Sequence, residues 1–205
     1  MTINIAACML SCPEREETRN QTLANLRSVG WAEDVILEID GTTFARRQER
    51  QEHSAYELLR RGEGGGADFI LFLEDDLDFN VHLVHNLERW RPMNQLTPGA
   101  HFFGSLYNPT VYARSVHRDD AYFIAAPEAV YGSQAVILAR PTARYIVEHW
   151  SEVPGMQDIK MSRLAARLCP LYYHVPSLVQ HVGETSVWGG PYHWTNDFSP
   201  DWRAE

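Results

Sequence analysis

Phe69-Ile-Leu-Phe-Leu-Glu-Asp-Asp-Leu-Asp-Phe79 drives four consecutive large apolar residues, Ile70 to Leu73, straight into four carboxylates within five positions. An uninterrupted apolar run suits a strand covered on both faces, as in a parallel sheet flanked by helices, where ligands sit beyond the carboxyl ends of the strands. Glu74, Asp75, Asp76 and Asp78 belong at that edge. Two carboxylates about 4 Å apart repel by roughly 1 kcal/mol in water and about 4 kcal/mol in a partly screened site, so the cluster calls for a cation, protons or full solvation. An exposed acidic turn capping the next helix is the alternative.

Toward the N-terminus, Thr2 to Leu10 reads as a first strand. Pro13, an acidic turn (Glu14, Glu16, Glu17) and an amphipathic run through Leu23, Leu26 and Val29 to Gly30 then give a helix. Asp34 to Ile39 is a second strand leading into Asp40-Gly41-Thr42, and Thr43 to Arg61 reads as a helix with Gly62 at its end. This alternation predicts an α/β protein. Beyond the acidic run, Asn80 is placed to cap a helix bearing Val84, Leu87 and Trp90. His101 to Tyr107, Tyr122 to Ala125 and Ala135 to Leu138 read as strands. Pro141 opens a helix to about Trp150, Gln157 to Leu168 forms another, and Leu171 to His181 is a strand broken around Pro176. From about Thr195 the polar, acidic end reads as loose.

A chain of 205 residues forms one domain with a genuine core. The net charge of −9 argues against nonspecific binding to nucleic acid or anionic lipid. Lys160 is the only lysine, so no lysine-bearing Walker loop exists and phosphate recognition falls to arginine, backbone amides or a metal. Cys8, Cys12 and Cys169 form no CxxC pair and read as reduced, mostly buried thiols. No stretch approaches the roughly 18 to 20 apolar residues of a membrane span, and Ile3 to Leu10 lacks the basic flank of a signal peptide, so a cytoplasmic protein is expected.

Strand alternation through the acidic run puts Glu74, Asp76 and Asp78 on one face and Asp75 on the other. Asp76 is the preferred metal ligand and Asp78 a further candidate. Oxygen donors favour Mg2+ or Mn2+, and an added imidazole tilts the balance toward Mn2+. His181, just beyond a strand and close to Gly183, offers that imidazole; a half-buried histidine bonded to a carbonyl is the alternative. His82 and His85 share a helix face and read as surface residues. Asp158, in the first turn of a helix, either caps amide donors or takes a proton from an acceptor hydroxyl. Arg15 lies where a helix N-terminus favours anions and suits a diphosphate or a base; Arg46, Arg47 and Arg50 offer the same chemistry from the second helix, or are solvated surface residues. Trp188, Tyr192 and Trp194 suit stacking on sugar rings or closing a lid, or else seal one end of the core.

Leu71-Phe-Leu-Glu-Asp-Asp76 resembles the metal-binding acidic motif of GT-A glycosyltransferases, and Pro176 to Gly183 with Ser186 resembles the matching segment of the N-acetylglucosaminyltransferase IV group. Ser11-Cys-Pro-Glu-Arg15 and the Leu-Glu-Asp-Asp stretch also look like the procollagen and lipopolysaccharide glycosyltransferase family. The resemblance extends over roughly residues 1 to 190. It implies a single GT-A-like catalytic domain at 1–194, a three-layer α/β sandwich whose mixed, mostly parallel sheet carries helices on both faces, with a loose tail at 195–205.

It further implies a metal-dependent inverting transferase that moves a sugar from a nucleoside diphosphate donor, UDP in the first instance, to an acceptor hydroxyl. Asp76 becomes the main metal ligand, His181 the late ligand and Asp158 the catalytic base. Glu74 and Asp75 fall near the ribose and metal-bound water. Ser11, Arg15, Asp40 and Gln134 are the remaining candidate nucleotide-sugar contacts, Gln134 from the segment Tyr131-Gly-Ser-Gln134 that resembles the strand entrance lining the donor-sugar pocket, and Trp188, Tyr192 and Trp194 are the candidate acceptor contacts. Glu-Asp-Asp followed by Leu77 and Asp78 departs from a plain DxD motif, so the division of labour around Asp76 stays open. Two other classes stand beside this one. Ile36-Leu-Glu-Ile-Asp40-Gly-Thr42 resembles the nucleophile loop of haloacid-dehalogenase-type phosphatases, although Glu38 occupies the nucleophile position and Lys160 follows the acidic cluster. A noncatalytic carbohydrate-binding module would keep the fold without the reaction.

Overall fold

The computed structural model describes residues 3–41, 46–109, 121–183 and 194–205. In chain order the strands and α-helices are β1 Ile5–Ser11, α1 Glu16–Ser28, β2 Val35–Ile39, α2 Arg47–Gly64, β3 Phe69–Leu73, β4 Leu77–Phe79, α3 Leu83–Arg89, α4 Arg91–Asn94, β5 Phe103–Ser105, β6 Tyr122–Ala125, β7 Ala135–Ala139, α5 Arg140–Glu148, α6 Gln157–Ala165, β8 Leu171–His174 and β9 Val179–His181.

Alternate residues of β3 enter two separate cores. Ile70 and Phe72 pack with Cys8, Leu58, Val136, Ile146 and Leu164, under α2, α5 and α6. Leu71 and Leu73 face the other way, toward Met9, Leu26, Leu83, Leu87 and Ile137, under α1 and α3. All four β3 side chains are completely buried, each contributing about 2 kcal/mol from removal of apolar surface. Helices cover both faces, which is why the run has no polar alternation.

The main sheet has the order β2-β1-β3-β7-β5-β8-β6. β1 runs parallel to β2 and β3, and β5 parallel to β8. β7 is antiparallel to β3 and β5, and β6 to β8, so two strands oppose the other five. The result is the expected α/β sandwich with a mixed, mostly parallel sheet. β4 and β9 form a separate antiparallel ribbon with Leu77 opposite His181.

Several boundaries differ from expectation for identifiable reasons. The second helix is described from Arg47, residues 42–45 lying outside the described ones, and it continues through Gly62 to Gly64. Gly62 is a packing requirement, because a Cβ there would sit 2.7 Å from Cys8 Sγ. The stretch from Leu171 to His181 divides at Pro176, its two halves joining different sheets. The tail from about Thr195 is tied down. Asn80 Nδ2 donates to the carbonyls of Ser199 and Trp202, at 2.7 and 2.8 Å, and Val81 N–H donates to that of Pro200. The Asp197 carboxylate accepts from Ser177 and Asn108. Among the described residues no helix is long and apolar enough to cross a membrane.

Candidate functional site

The acidic run leaves β3 at the carboxyl edge shared with β1 and β2. Thr22 of α1 fixes the turn that follows: its hydroxyl donates to the Asp75 carbonyl at 2.7 Å and accepts from Leu77 N–H at 3.0 Å. The chain then enters β4, and pairing with β9 returns His181 to this edge, with Val182 N–H bonded to the Asp76 carbonyl. A ribbon of three residues per strand therefore closes the gap between sequence-distant segments.

Asp76 is the convergence point. Its Oδ2 lies 2.9 Å from His181 Nε2 and 2.5 Å from Arg15 Nη2. Its Oδ1 is buried without a hydrogen-bond partner among the described residues. Burial opposes ionisation of Asp76, but the hydrogen bond and charge of His181, with Arg15, outweigh it and hold the carboxyl below its ordinary value. Gly183 backs onto this point: a Cβ there would overlap Asp76 Oδ2 and come within 2.8 Å of Arg15 Nη2.

Asp75 and Glu74 flank this point in different ways. Asp75 accepts a 2.6 Å bond from Ser11 Oγ and pairs with Arg15 Nη1 at 3.2 Å, yet burial still pushes its carboxyl up. Arg19, itself buried, donates to Ser11 Oγ from behind. Glu74 accepts from Ser133 Oγ at 2.9 Å, and Ser133 Oγ accepts from Gln157 Nε2 at 3.1 Å. Burial, and then the charge of Asp76, push Glu74 up to about 7. This relay joins the acidic edge to the start of α6, where Asp158 sits. The Asp158 oxygens accept from Gly132 N–H and Ile159 N–H, both at 2.9 Å; a carboxylate has about four lone-pair sites, so capacity remains on each. Gln134 is buried, with Oε1 unpartnered and crowded against Gly132.

Most of the remaining candidates lie apart from this edge, but Asp40 adjoins it, its N–H donating to the Ser11 carbonyl at 2.8 Å. Asp40 is buried and pairs with Arg50 Nε at 3.1 Å. Asp78 points to solvent from β4. Trp194 is exposed and donates to Asn196 Oδ1; Trp188, Tyr192 and Ser186 lie outside the described residues. Arg46 is exposed beside Glu49. His85 Nε2 sits 3.0 Å from the Ala204 carbonyl, against the tail. Burial pushes the free thiols Cys8, Cys12 and Cys169 up, to about 12, 11 and 11, far from reactivity near neutrality. Lys160 Nζ is spent on the Val153 and Trp150 carbonyls and lies 3.6 Å from Glu52, a structural role that removes the lysine a phosphatase site would need.

The residues fit a divalent ion with mixed donors. One Asp76 oxygen has no partner among the described residues, an imidazole nitrogen and Arg15 meet the other, and Gly183 lets its backbone lie against this carboxylate. Among the described residues no group of three or more His, Cys, Asp or Glu forms a metal cage. Oxygen donors with an imidazole suit Mg2+ or Mn2+, ions that draw much of their coordination from water and substrate phosphates. Gln157 carries no sequence signal for its part, since its role depends on which side chains the fold brings beside it, whereas Ser133 is signalled only as a member of the Tyr131-to-Gln134 segment.

The fold is that of GT-A-like glycosyltransferases. The chain is similar to a glycosyltransferase involved in the glycosylation of the major capsid of PBCV-1, with a TM-score of 0.52 and 12% identity over 88% of this chain and 94% of that one. It is more distantly similar to the galactosyltransferase LgtC in complex with donor and acceptor sugar analogs, with a TM-score of 0.41 and 11% identity over 77% and 69% of the two chains. A mutant of Drosophila β1,4-galactosyltransferase 7 in complex with manganese, UDP-Gal and xylobiose gives 0.42 and 14% over 87% and 71%. No family model matches the sequence, and no curated protein matches it.

Proposed function

We propose that this chain is a nucleotide-sugar-dependent glycosyltransferase that moves a sugar from a nucleoside diphosphate, UDP in the first instance, to a hydroxyl of a glycan or other small acceptor. The observation that carries this reading is the meeting of Asp76, His181 and Arg15 at the carboxyl edge of β1 and β3, in a fold of the glycosyltransferase type. Asp76 and His181 would hold Mn2+ or Mg2+, with Asp75 and Glu74 nearby and Asp78 held in reserve on the solvent side. A bound divalent ion neutralises the charge that develops on the leaving diphosphate. Arg15 adds a guanidinium to the same charge and Ser11 orients Asp75.

In the reaction the acceptor oxygen forms a bond to the anomeric carbon as that carbon's bond to the diphosphate oxygen breaks. The acceptor proton passes to Asp158, which is held by two backbone amides and keeps lone pairs to receive it. One displacement from the face opposite the diphosphate inverts the anomeric configuration. Gln134 borders the donor sugar, Asp40 and Arg15 the nucleotide, and Trp194 with Trp188 and Tyr192 the acceptor. The finer likeness to the N-acetylglucosaminyltransferase IV and procollagen groups, and a cytoplasmic location, belong to the same proposal.

Incubation with a panel of nucleotide sugars and Mn2+ tests it. Metal-dependent release of nucleoside diphosphate, with an inverted product by NMR, is expected. Release of inorganic phosphate instead would favour phosphatase chemistry. Absence of any turnover in folded protein would favour a binding module, and a retained anomeric configuration would remove the single-displacement mechanism.

A further inference from the structure

Gln51 is 4% exposed on the inward face of α2, one turn past the helix start, and its Oε1 is buried without a hydrogen-bond partner among the described residues. Leaving such a group unsatisfied costs about 1–3 kcal/mol, so Oε1 calls for a donor from a water or a ligand. The amide lines a narrow cleft with Ser11, Cys12, Arg15, Glu74 and Asp75. The space it leaves for a water-sized group is about 10 Å3, close to that of a single water. It admits one polar group and excludes an aromatic ring.

The chemistry of the walls narrows the choice. Ser11 Oγ already donates its proton to Asp75, and Glu74 and Asp75 are carboxyl groups. Gln51 Oε1 is an acceptor without a partner among the described residues, so the group that satisfies it is a donor. The cleft also borders Asp75, next to Asp76, which is proposed to hold the metal that meets the diphosphate. In a nucleoside diphosphate the part next to the diphosphate is the ribose, and its hydroxyls are donors the size of a water.

We infer that Gln51 binds a ribose hydroxyl of the nucleotide, making it a specificity-determining residue that separates ribonucleotides from their deoxy analogues. This rests on the nucleotide reading of the same site. A site built to bond a hydroxyl rejects the analogue lacking it, because the protein group is then left unpaired.

Calorimetric titration with UDP, 2′-deoxy-UDP and 3′-deoxy-UDP, each with Mn2+, tests the assignment on the wild type and on Gln51→Met, which keeps the length of the side chain. The wild type is expected to bind UDP at least about tenfold more tightly than one of the deoxy analogues, and the variant to bind them within about twofold. The melting temperature of Gln51→Met without nucleotide should equal or exceed that of the wild type, since Oε1 gives up no hydrogen bond among the described residues. Undiminished discrimination in Gln51→Met overturns this inference alone. So does a large fall in melting temperature, which would make the amide structural, or a change in preference among UDP, CDP and GDP with the ribose preference intact, which would place it on the base. Failure of the wild type to bind UDP, ADP, GDP or CDP with Mn2+ overturns the nucleotide reading itself.

Discussion

His181 Nε2 stands 2.9 Å from Asp76 Oδ2 across 105 residues of sequence, because Leu77 and His181 are register partners in the β4–β9 ribbon. Gly183, two residues on, has no side chain where one would strike that carboxylate. Gly183→Ala should therefore displace Asp76 or Arg15. Overpacking of this kind costs about 1–3 kcal/mol, and its larger effect should fall on the ligand: Mn2+-dependent nucleotide binding weakened at least about tenfold, an affinity change of roughly 1.4 kcal/mol. Titration of nucleotide into the variant checks this, and unchanged affinity would separate Gly183 from the site.

Asp158 is open to two roles that respond differently to Asp158→Asn. As a base it should lose about 10²- to 10⁴-fold in kcat, with nucleotide affinity retained. As a cap alone it should lose stability, because both oxygens accept backbone N–H groups and an amide nitrogen cannot, while kcat per folded molecule stays near wild type. The first outcome is expected. Single-turnover kinetics alongside thermal melting distinguish the two.

His174 supplies a pH dependence remote from the acidic edge. It lies between the rings of Trp90 and Trp202, with Nδ1–H donating to the Pro176 carbonyl at 2.6 Å. Burial pushes its pKa from 6.5 down to about 4, against the opposing pull of that hydrogen bond and of Asp197. Between these values the unfolded chain binds the proton and the folded chain does not, so stability is full above about pH 6.5 and falls as pH drops toward 4, by up to about 1.4 kcal/mol per pH unit from this group. Urea midpoints should decline through that window in the wild type and less steeply in His174→Phe. Parallel declines would contradict the assignment.

Asn80→Ala tests the anchoring of the tail. The Asn80 side chain donates to Ser199 and Trp202 carbonyls, and accepts from His82 N–H and Asn86 Nδ2. Its removal should cost about 2–4 kcal/mol in urea denaturation, and a loss under about 0.5 kcal/mol would mean the tail is not held this way.

The parts of this molecule legible in the sequence are those whose physics is local. The apolar run at Ile70–Leu73 declares burial on both faces, and the acidic residues after it mark the strand's carboxyl edge. Gly183 beside His181 signals a close backbone approach. What escaped depends on pairings between distant segments. β4 and β9 are too short to show a period, and the tail reads as loose because its backbone is satisfied by asparagine side chains more than a hundred residues away. Gln51 and Gln157 look like ordinary helix residues until their neighbours are known. Gly62 reads as a helix stop, whereas contact with Cys8 is what requires it.

The most direct test is the Mn2+ dependence of UDP binding by titration calorimetry, in the wild type and in Asp76→Asn. Expected is binding by the wild type with Mn2+, at least about tenfold weaker binding after chelation, and no comparable metal dependence in Asp76→Asn. Equal UDP affinity with and without Mn2+ in the wild type, or a metal dependence that survives in Asp76→Asn, would contradict the assignment of Asp76 as the residue that holds the metal.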